Sequence, residues 1–480
     1  MKKILEKMKS MPVTAKVSVA YAACTILQKC LSIITLPLFT RLLTTEQYGQ
    51  YSVYTSWSAI LAIFITLNLA YGSFQTAMIK YEERRDEYIA SIEGISIVFG
   101  MAFLLLYFPF RNSINQFLEM PTYLVVVMVV EMLAQSSLLF WSGKKRFEYK
   151  YKSVVAVTLA VSFMAPVIAF FLVTNTTEKG YARIMGYAFV NIAVGLFFLV
   201  FNIYRGKKVF NKEFWKFALC FNIPLIPYYT SQVIFNQSDR IMISKICGDD
   251  KAGIYSVAYT LALLLTFVLN AINSSYVPWL YESIKKKSHH ENRKIACWLA
   301  VLMAVLLLGV IWVTPEVIYI MAGKSYYEAI WVVPPVAMSL LLLFYSQLFI
   351  NVAFYYEQKA FLVWVSMGAA LVNIVLNALL IPVFGFVAAG YTTLASYILF
   401  AVGNGVGTYK ILKDKTMFWE MYNLRILFAI FVLMLLGSLV AMLLYTNLIA
   451  RYALVLVVLV IAGIKHKVIL DFLKRLKKKN

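Results

Sequence analysis

Two ionisable side chains stand inside long apolar stretches, where an unpaired charge costs at least about 2.5–3.5 kcal/mol at a helix centre. Lys29 lies twelve residues into the run 17–38, and Glu131 about nine residues into the run 121–142. At 1.5 Å per residue Lys29 is about 18 Å deep, near the middle of a hydrocarbon core about 30 Å thick. Glu131, entered from the opposite face, reaches a similar depth. Two roles suit them. They form an ion pair that locks two helices, or Lys29 lines a water-filled cavity and binds an anionic group while Glu131 tunes it or carries a coupling proton or sodium ion.

A third cluster ends the stretch NIPLIPYYTSQVIFNQSDRIMIS, where Asp239 and Arg240 are adjacent. Pro224 and Pro227 break the helix near its start, and Gln232, Asn236, Gln237 and Ser238 give it a polar stripe that lipid would not tolerate. The stripe is expected to face a cavity or another helix, with Asp239 a coupling or gating candidate; an interfacial anchor pair is the alternative for Asp239 and Arg240. Amides on other runs, among them Asn68, Gln135, Asn191, Asn273, Asn351, Asn373 and Asn377, bond sugar hydroxyls as readily as neighbouring helices. Gln232, Asn236, Asn68 and Asn273 are the candidates for a hydroxyl-rich ligand.

Other patterns carry no chemistry. GNGVG at 403–407 sits inside an apolar run with no strand before it, which reads as close helix packing rather than a nucleotide loop. There is no GxxxxGK[ST], and His289-His290-Glu291 falls in a Lys-rich turn. The five cysteines have no disulfide or metal spacing. No cofactor or metal is expected, and any energy source is an ion gradient or the membrane potential. A membrane glycan polymerase or glycosyltransferase would need a catalytic carboxylate or Arg on a sizeable outer loop, and these turns are short.

The elements that position such residues follow from composition. Of 480 residues 61% are hydrophobic and 14% charged, with a mean hydropathy of +0.75, against about 45–50% and 25% in soluble domains. Fourteen continuous apolar runs occur, at 17–38, 50–79, 89–110, 121–142, 153–174, 181–204, 217–238, 252–280, 295–315, 329–355, 360–382, 386–409, 426–446 and 448–464. Continuous rather than alternating runs predict α-helical spans, not a barrel. With the N-terminus cytoplasmic, 35 of the 45 Lys and Arg fall on inner segments and nine on outer turns, Arg183 and Arg451 among the nine. That asymmetry is the positive-inside pattern, and places both termini in the cytoplasm. The net charge of +22 is thereby assigned to loops facing anionic lipid heads, and nucleic acid is not a partner.

GQYSVYT at 49–55 and GIYSVAYT at 253–260 repeat at an offset of 204 residues, which also places Arg41 on Lys245 and Glu46 on Asp250. The repeat predicts an all-α polytopic membrane protein of two pseudo-symmetric six-helix lobes plus a C-terminal pair. Its parts are an amphipathic cytoplasmic segment 1–16, lobes over 17–210 and 211–412, a pair over 413–465 and a basic tail over 466–480.

ITLPLFTRLLTTEQYGQYSVY at 34–54 and NIPLIPYYTSQVIFNQSDRIMISKICGDDKAGIYSVAYTLA at 222–262 resemble the bacterial polysaccharide flippases, the Wzx-like branch of the multidrug/oligosaccharidyl-lipid/polysaccharide exporter superfamily. The resemblance implies a central cavity that rocks between inward-open and outward-open states in the plasma membrane. The cargo it implies is an undecaprenyl-pyrophosphate-linked oligosaccharide for capsule, O-antigen or exopolysaccharide, with a polymerase and chain-length machinery as partners. Arg41, Asp239 and Arg240 match family motif positions, so Arg41 and Arg240 join Lys29 as expected pyrophosphate contacts. A multidrug/cation antiporter and a lipid II-type flippase are the neighbouring alternatives.

Overall fold

The computed structural model describes residues 13–358, 360–412 and 415–464. Most of the N-terminal segment expected over 1–16 and all of the basic tail over 466–480 lie outside the described residues.

The described chain is helical, with no strand. Its first half holds α1 (Val13–Leu42), α2 (Thr45–Ile65), α3 (Ser73–Lys80), α4 (Arg85–Tyr107), α5 (Arg111–Leu118), α6 (Thr122–Phe147), α7 (Tyr151–Thr174) and α8 (Lys179–Gly206). The second half holds α9 (Lys212–Asn222), α10 (Ile226–Cys247), α11 (Asp249–Leu263), α12 (Thr266–Lys285), α13 (His289–Met321), α14 (Val333–Tyr355), α15 (Ala360–Phe384) and α16 (Ala388–Ile411). A short α17 (Lys415–Met421) leads into α18 (Leu424–Leu443) and α19 (Leu448–Ile464). With α2–α3, α9–α10 and α11–α12 each taken as one interrupted rod and the short α5 and α17 as connectors, there are fourteen rods, in the expected places. Ten spans among the described residues are long and apolar enough to cross a membrane on composition alone. The rods over 45–80 and 212–247 fall short because they are broken and polar, that over 388–411 because Thr, Ser, Asn and Gly dilute it, and that over 448–464 because it is short.

The interruptions have local causes. A capping box starts α2: the Thr44 hydroxyl accepts from the Gln47 N–H and the Gln47 amide oxygen accepts from the Thr44 N–H, both at 3.2 Å. The run 50–79, expected to be continuous, breaks after Ile65, where Leu67 and Asn68 take φ values of 49° and 50°. Left-handed backbone at two non-glycine residues costs about 1–2 kcal/mol each, and the full burial of Leu67 and Leu69 offsets it. In the seventh rod the break comes at Ile223–Leu225, around Pro224. The two breaks are tied together: Asn222 Nδ2 donates to Ser73 Oγ at 2.7 Å. Through this contact and the packing of α9 on α3 and α4, the first part of the seventh rod belongs physically with the first lobe, while α10 packs on α11 and α15.

Each lobe packs around a central helix. In the first, α8 touches α2, α4, α6 and α7, and α1 leans on α7; in the second, α16 packs on α14 and α15, and α13 on α14. The added α18 rests against α13 and α14, so the C-terminal pair is attached to the second lobe.

Because the rods run up and down, the Lys- and Arg-rich connections gather at one end, the basic end. The lobes meet at the other. There α2 lies directly on α11: a Cβ at Gly49 would stand 1.8 Å from the Asp249 carbonyl oxygen, and one at Gly253 would stand 2.1 Å from the Thr45 carbonyl oxygen. Only glycine permits this approach. One turn further, Ser52 and Ser256 share a short hydrogen bond. Every pair in this contact is reciprocal at the 204-residue offset. The repeat seen in the sequence is therefore a surface that binds its own copy. The flanks are related in nearly the same way: Arg41 donates to the Ile320 carbonyl at 3.1 Å, at the end of α13, and Lys245 donates to the Phe117 carbonyl at 2.6 Å, at the end of α5. Each cation satisfies free carbonyls at the C-terminus of a helix in the opposite lobe. The lobes are sealed at this closed end.

Candidate functional site

Between the closed end and the basic end the first lobe carries two adjoining polar chambers. One, of about 360 Å³, is walled by α2, α6 and α8 and by the break after α2, with Tyr51, Tyr54, Asn68, Glu131, Gln135, Tyr187 and Asn191 on its surface. The other, of about 310 Å³, lies between α1 and α7 and is lined by Thr25, Gln28, Lys29, Ser32, Ser162 and Tyr187. Tyr187 is common to both.

Lys29 projects from the exposed face of α1 and has no ion pair or hydrogen bond among the described residues. Glu131 is not its partner. The Glu131 carboxylate is 6% exposed and fully engaged: Tyr54 donates to Oε2 at 2.8 Å, while Asn191 and Gln135 donate to Oε1 at 2.8 and 3.0 Å. The Lys29–Glu131 ion pair expected as one alternative is absent because neutral donors from α2, α6 and α8 already satisfy the carboxylate. Lys29 thus remains a cation on a chamber wall.

The second lobe buries its carboxylate more deeply. Asp239, 1% exposed, accepts from Tyr255 (2.6 Å) and Thr393 (2.8 Å) at Oδ2 and from Asn377 (2.6 Å) at Oδ1. Asn377 is in turn bonded to Thr392 and to Asn373, whose own Nδ2 has no partner among the described residues. A carboxylate, two amides and three hydroxyls gathered here form an oxygen-rich cluster that suits a proton or a hard monovalent cation.

The remaining expected contacts are spent on the protein itself. Arg41 was expected in the cavity; it lies at the closed end, capping α13. Arg240 is buried, lies 4.5 Å over the Tyr259 ring and donates to the Asn236 carbonyl at 2.9 Å and to Gln237 at 2.8 Å. Gln237 also accepts from Ser56 of the first lobe at 3.1 Å, so Arg240 supports the lobe interface rather than an open wall. Asn236 donates to the Gln232 carbonyl at 2.7 Å, one turn back along α10, and Gln232 stands half-buried beside it. Asn273 accepts from Asn351 at 2.8 Å, joining α12 to α14. Of the sugar-contact candidates, Asn68 alone lines the Glu131 chamber.

Several residues escaped the sequence reading. Glu93, fully buried in α4, accepts from Ser137 and Asn202, both at 2.8 Å. Arg183, placed among the outer-turn cations by its position, is 6% exposed inside the first lobe. Arg451, assigned to the same class, is buried against Glu316 of α13. The signal for Arg183 was present: Arg183, Tyr187 and Asn191 recur every four residues on α8, one continuous face of a helix.

Residues 14–284 match the model of the family described as "Polysaccharide biosynthesis protein". Protein 1 of the Lsg locus of Haemophilus influenzae is 22% identical over 334 residues, covering 66% of this chain and 80% of that protein. An uncharacterised membrane protein of the same organism is 26% identical over 276 residues, covering 54% and 63%. Among solved structures, the lipid II flippase MurJ in an inward closed conformation superposes with a TM-score of 0.66 at 12% identity, covering 91% of this chain and all of that one. An inward-facing multidrug resistance MATE transporter of the MOP superfamily gives 0.58 at 11% identity, covering 84% and 95%. A family match over more than half the chain, on fourteen rods folded as MOP-superfamily transporters fold, makes this multi-pass membrane protein a member of the polysaccharide biosynthesis protein family.

Proposed function

We propose that the protein flips an undecaprenyl-pyrophosphate-linked oligosaccharide across the bacterial plasma membrane by alternating access, for capsule, O-antigen or exopolysaccharide assembly. The observation that carries this reading is Lys29, a cation with no partner among the described residues, on the wall of a polar chamber, beneath an end sealed by contacts between the two lobes. A charged head group crosses hydrocarbon only if something replaces its water, since an isolated buried charge costs many kcal/mol. A cation for phosphate and amides such as Asn68 for hydroxyls supply that replacement. With the basic end in the cytoplasm, the closed end faces outward and cargo would enter from the inner side.

An apolar groove of about 430 Å³ between α14, α16, α17 and α18, lined by Tyr345, Phe349, Val402, Trp419 and Phe428, offers the prenyl tail a course alongside the lobe. Equal binding in the two states would shift nothing, so net export requires a bias. The Asp239 cluster is the site at which a proton or sodium ion would supply it, and rotating the Asn377 amide would turn it from donor to ligand. Anionic lipids at the basic loops and a polymerase with its chain-length machinery are the partners this reading implies.

The test is leaflet exchange of a fluorescent polyprenyl-pyrophosphate oligosaccharide in proteoliposomes, with Lys29→Ala beside wild type. Protein-dependent exchange that falls at least tenfold in a correctly inserted Lys29→Ala supports the reading. Wild-type exchange by that variant removes Lys29 from the mechanism, and absence of exchange across several glycans and ion gradients favours the cation antiporter.

A further inference from the structure

Arg183 is 6% exposed, has no ion pair among the described residues, and leaves Nε and Nη1 without hydrogen-bond partners. In place of a carboxylate it has aromatic rings: its guanidinium carbon stands 3.8 Å from the centroid of Tyr51, 4.4 Å from Phe39, 4.5 Å from Tyr48 and 6.0 Å from Tyr187. Ring faces attract a cation, and the Tyr48 and Tyr187 hydroxyls reach part of the guanidinium, but Nε and Nη1 stay unsatisfied, and a buried unsatisfied donor is expensive. A residue needed only to fill the space would not be an arginine.

The cage has two kinds of wall. Tyr51 and Tyr187 separate Arg183 from the polar chambers, and both line the Glu131 chamber. On the opposite flank the covering ring, Tyr48, is itself held in place by the second lobe. Tyr326, fully buried, stands edge-on to Tyr48 at 5.9 Å, and its hydroxyl donates to the Thr44 carbonyl at 3.4 Å. Tyr326 follows α13, so any movement that parts the lobes at the closed end carries it away from Tyr48. Tyr48 then loses the ring packed on its edge and is free to turn off the guanidinium, leaving Nε and Nη1 of Arg183 to donate to separate phosphate oxygens.

We propose that Arg183 is a second anion station, hidden in the present state and uncovered when the closed end opens, where it takes the pyrophosphate of the cargo. Lys29 serves the state open at the basic end and Arg183 the state open at the other. The cage ring Phe39 lies ten residues beyond Lys29 on α1, about 15 Å along the helix, so the stations are separated in the direction of transport. Tyr187 lines the Lys29 chamber and packs on Arg183, and is the partition between them. The inference rests on the cargo carrying a phosphoryl anion, as in the function proposed above.

The test measures binding of farnesyl pyrophosphate, with farnesol as the uncharged control, to purified protein held in each state. A Ser52→Cys/Ser256→Cys disulfide holds the end closed, and Gly49→Ala disfavours closure. Arg183→Gln is expected to weaken farnesyl pyrophosphate binding at least tenfold in the Gly49→Ala protein and to leave the cross-linked protein unchanged; Lys29→Gln is expected to act on the cross-linked form. Arg183→Lys, which keeps the charge and loses the two separate donors, should fall between, and farnesol should show no dependence on residue 183. If Arg183→Gln and Arg183→Lys both bind as the parent does in the Gly49→Ala protein while Lys29→Gln still weakens the cross-linked form, this inference fails and the proposed function stands. If neither state binds the pyrophosphate, both fail. A fall in the rate of Ser52→Cys/Ser256→Cys cross-linking caused by Arg183→Gln, with binding unaltered, would make Arg183 a structural prop of the closed end and overturn the proposal.

Discussion

The seal at the closed end depends on an atom that is not there, which makes Gly49→Ala the most informative single change. The added Cβ would lie 1.8 Å from the Asp249 carbonyl oxygen and 2.6 Å from its carbon. Both are backbone atoms, so no rotamer relieves the overlap, and α2 and α11 must separate to restore van der Waals contact. Overpacking a close contact of this kind costs about 1–3 kcal/mol. At about 1.4 kcal/mol per decade, the closed state should lose a factor of about 5–150 relative to the state open at that end. Gly253→Ala, 2.1 Å from the Thr45 carbonyl oxygen, should act in the same direction. The double variant should add less than the sum, because one separation relieves both clashes. The assay is the initial rate of disulfide formation in Ser52→Cys/Ser256→Cys, whose parent hydroxyls are in direct contact. Gly309→Ala, with nothing within 4 Å of its new Cβ, is the control and should leave the rate unchanged. A Gly49→Ala protein that is folded and cross-links as fast as its parent would refute the argument that this contact holds the end shut.

Asp239→Asn removes the one charge from the cluster on α10, α11, α15 and α16; it should leave the fold intact while abolishing any dependence of exchange on a proton or sodium gradient, read by imposing each gradient across the proteoliposome. A gradient response equal to wild type would show that coupling lies elsewhere. At the basic end, burial opposes ionisation of Glu148, but hydrogen bonds from Lys145 (3.1 Å) and Lys150 (3.2 Å) and the charge of Lys144 prevail and hold its carboxyl at about 2, below the usual 4.5. A depressed carboxyl contributes stability that is complete above pH 4.5 and disappears as the pH falls through 2. Glu148→Gln should therefore lower the thermal midpoint at pH 7 and remove part of the midpoint's decline between pH 4.5 and 2; parallel wild-type and variant curves over that interval would count against the ion-pair assignment.

Much of the architecture could be read from the sequence because hydrocarbon imposes simple rules. Span length, continuous apolarity and the side preference of Lys and Arg located all fourteen rods, and Pro224 and Pro227 announced the break in the seventh. The break after Ile65 had no comparable sign: Leu67 and Asn68 adopt left-handed backbone under tertiary packing, and the nearest glycine, Gly72, lies several residues on. Position along a rod was also legible, and it singled out Lys29, which lines a chamber. The direction in which a side chain faces was not. Arg41, Arg183 and Arg240 all lie near rod ends, where a cation is ordinarily an interfacial residue, yet one caps a helix, one is caged by rings and one braces Gln237. Asn273 and Asn236 had the polarity of ligand contacts but are held by Asn351 and by the turn before. Such choices depend on which helices become neighbours, and that is decided by contacts hundreds of residues apart.

The closed end also bears on how such a chain came to exist. A contact in which Gly49 meets Asp249 and Gly253 meets Thr45, with Ser52 on Ser256 between them, is isologous, the kind made by two identical subunits about a two-fold axis. A half-length ancestor of six rods would make it with a second copy of itself, with no covalent link. In a single chain, a position away from the axis can change in one half alone. A position on the axis faces its own counterpart, so a bulky replacement in either half strikes the other. The shared G-x-Y-S-V lies where the two halves have to match each other.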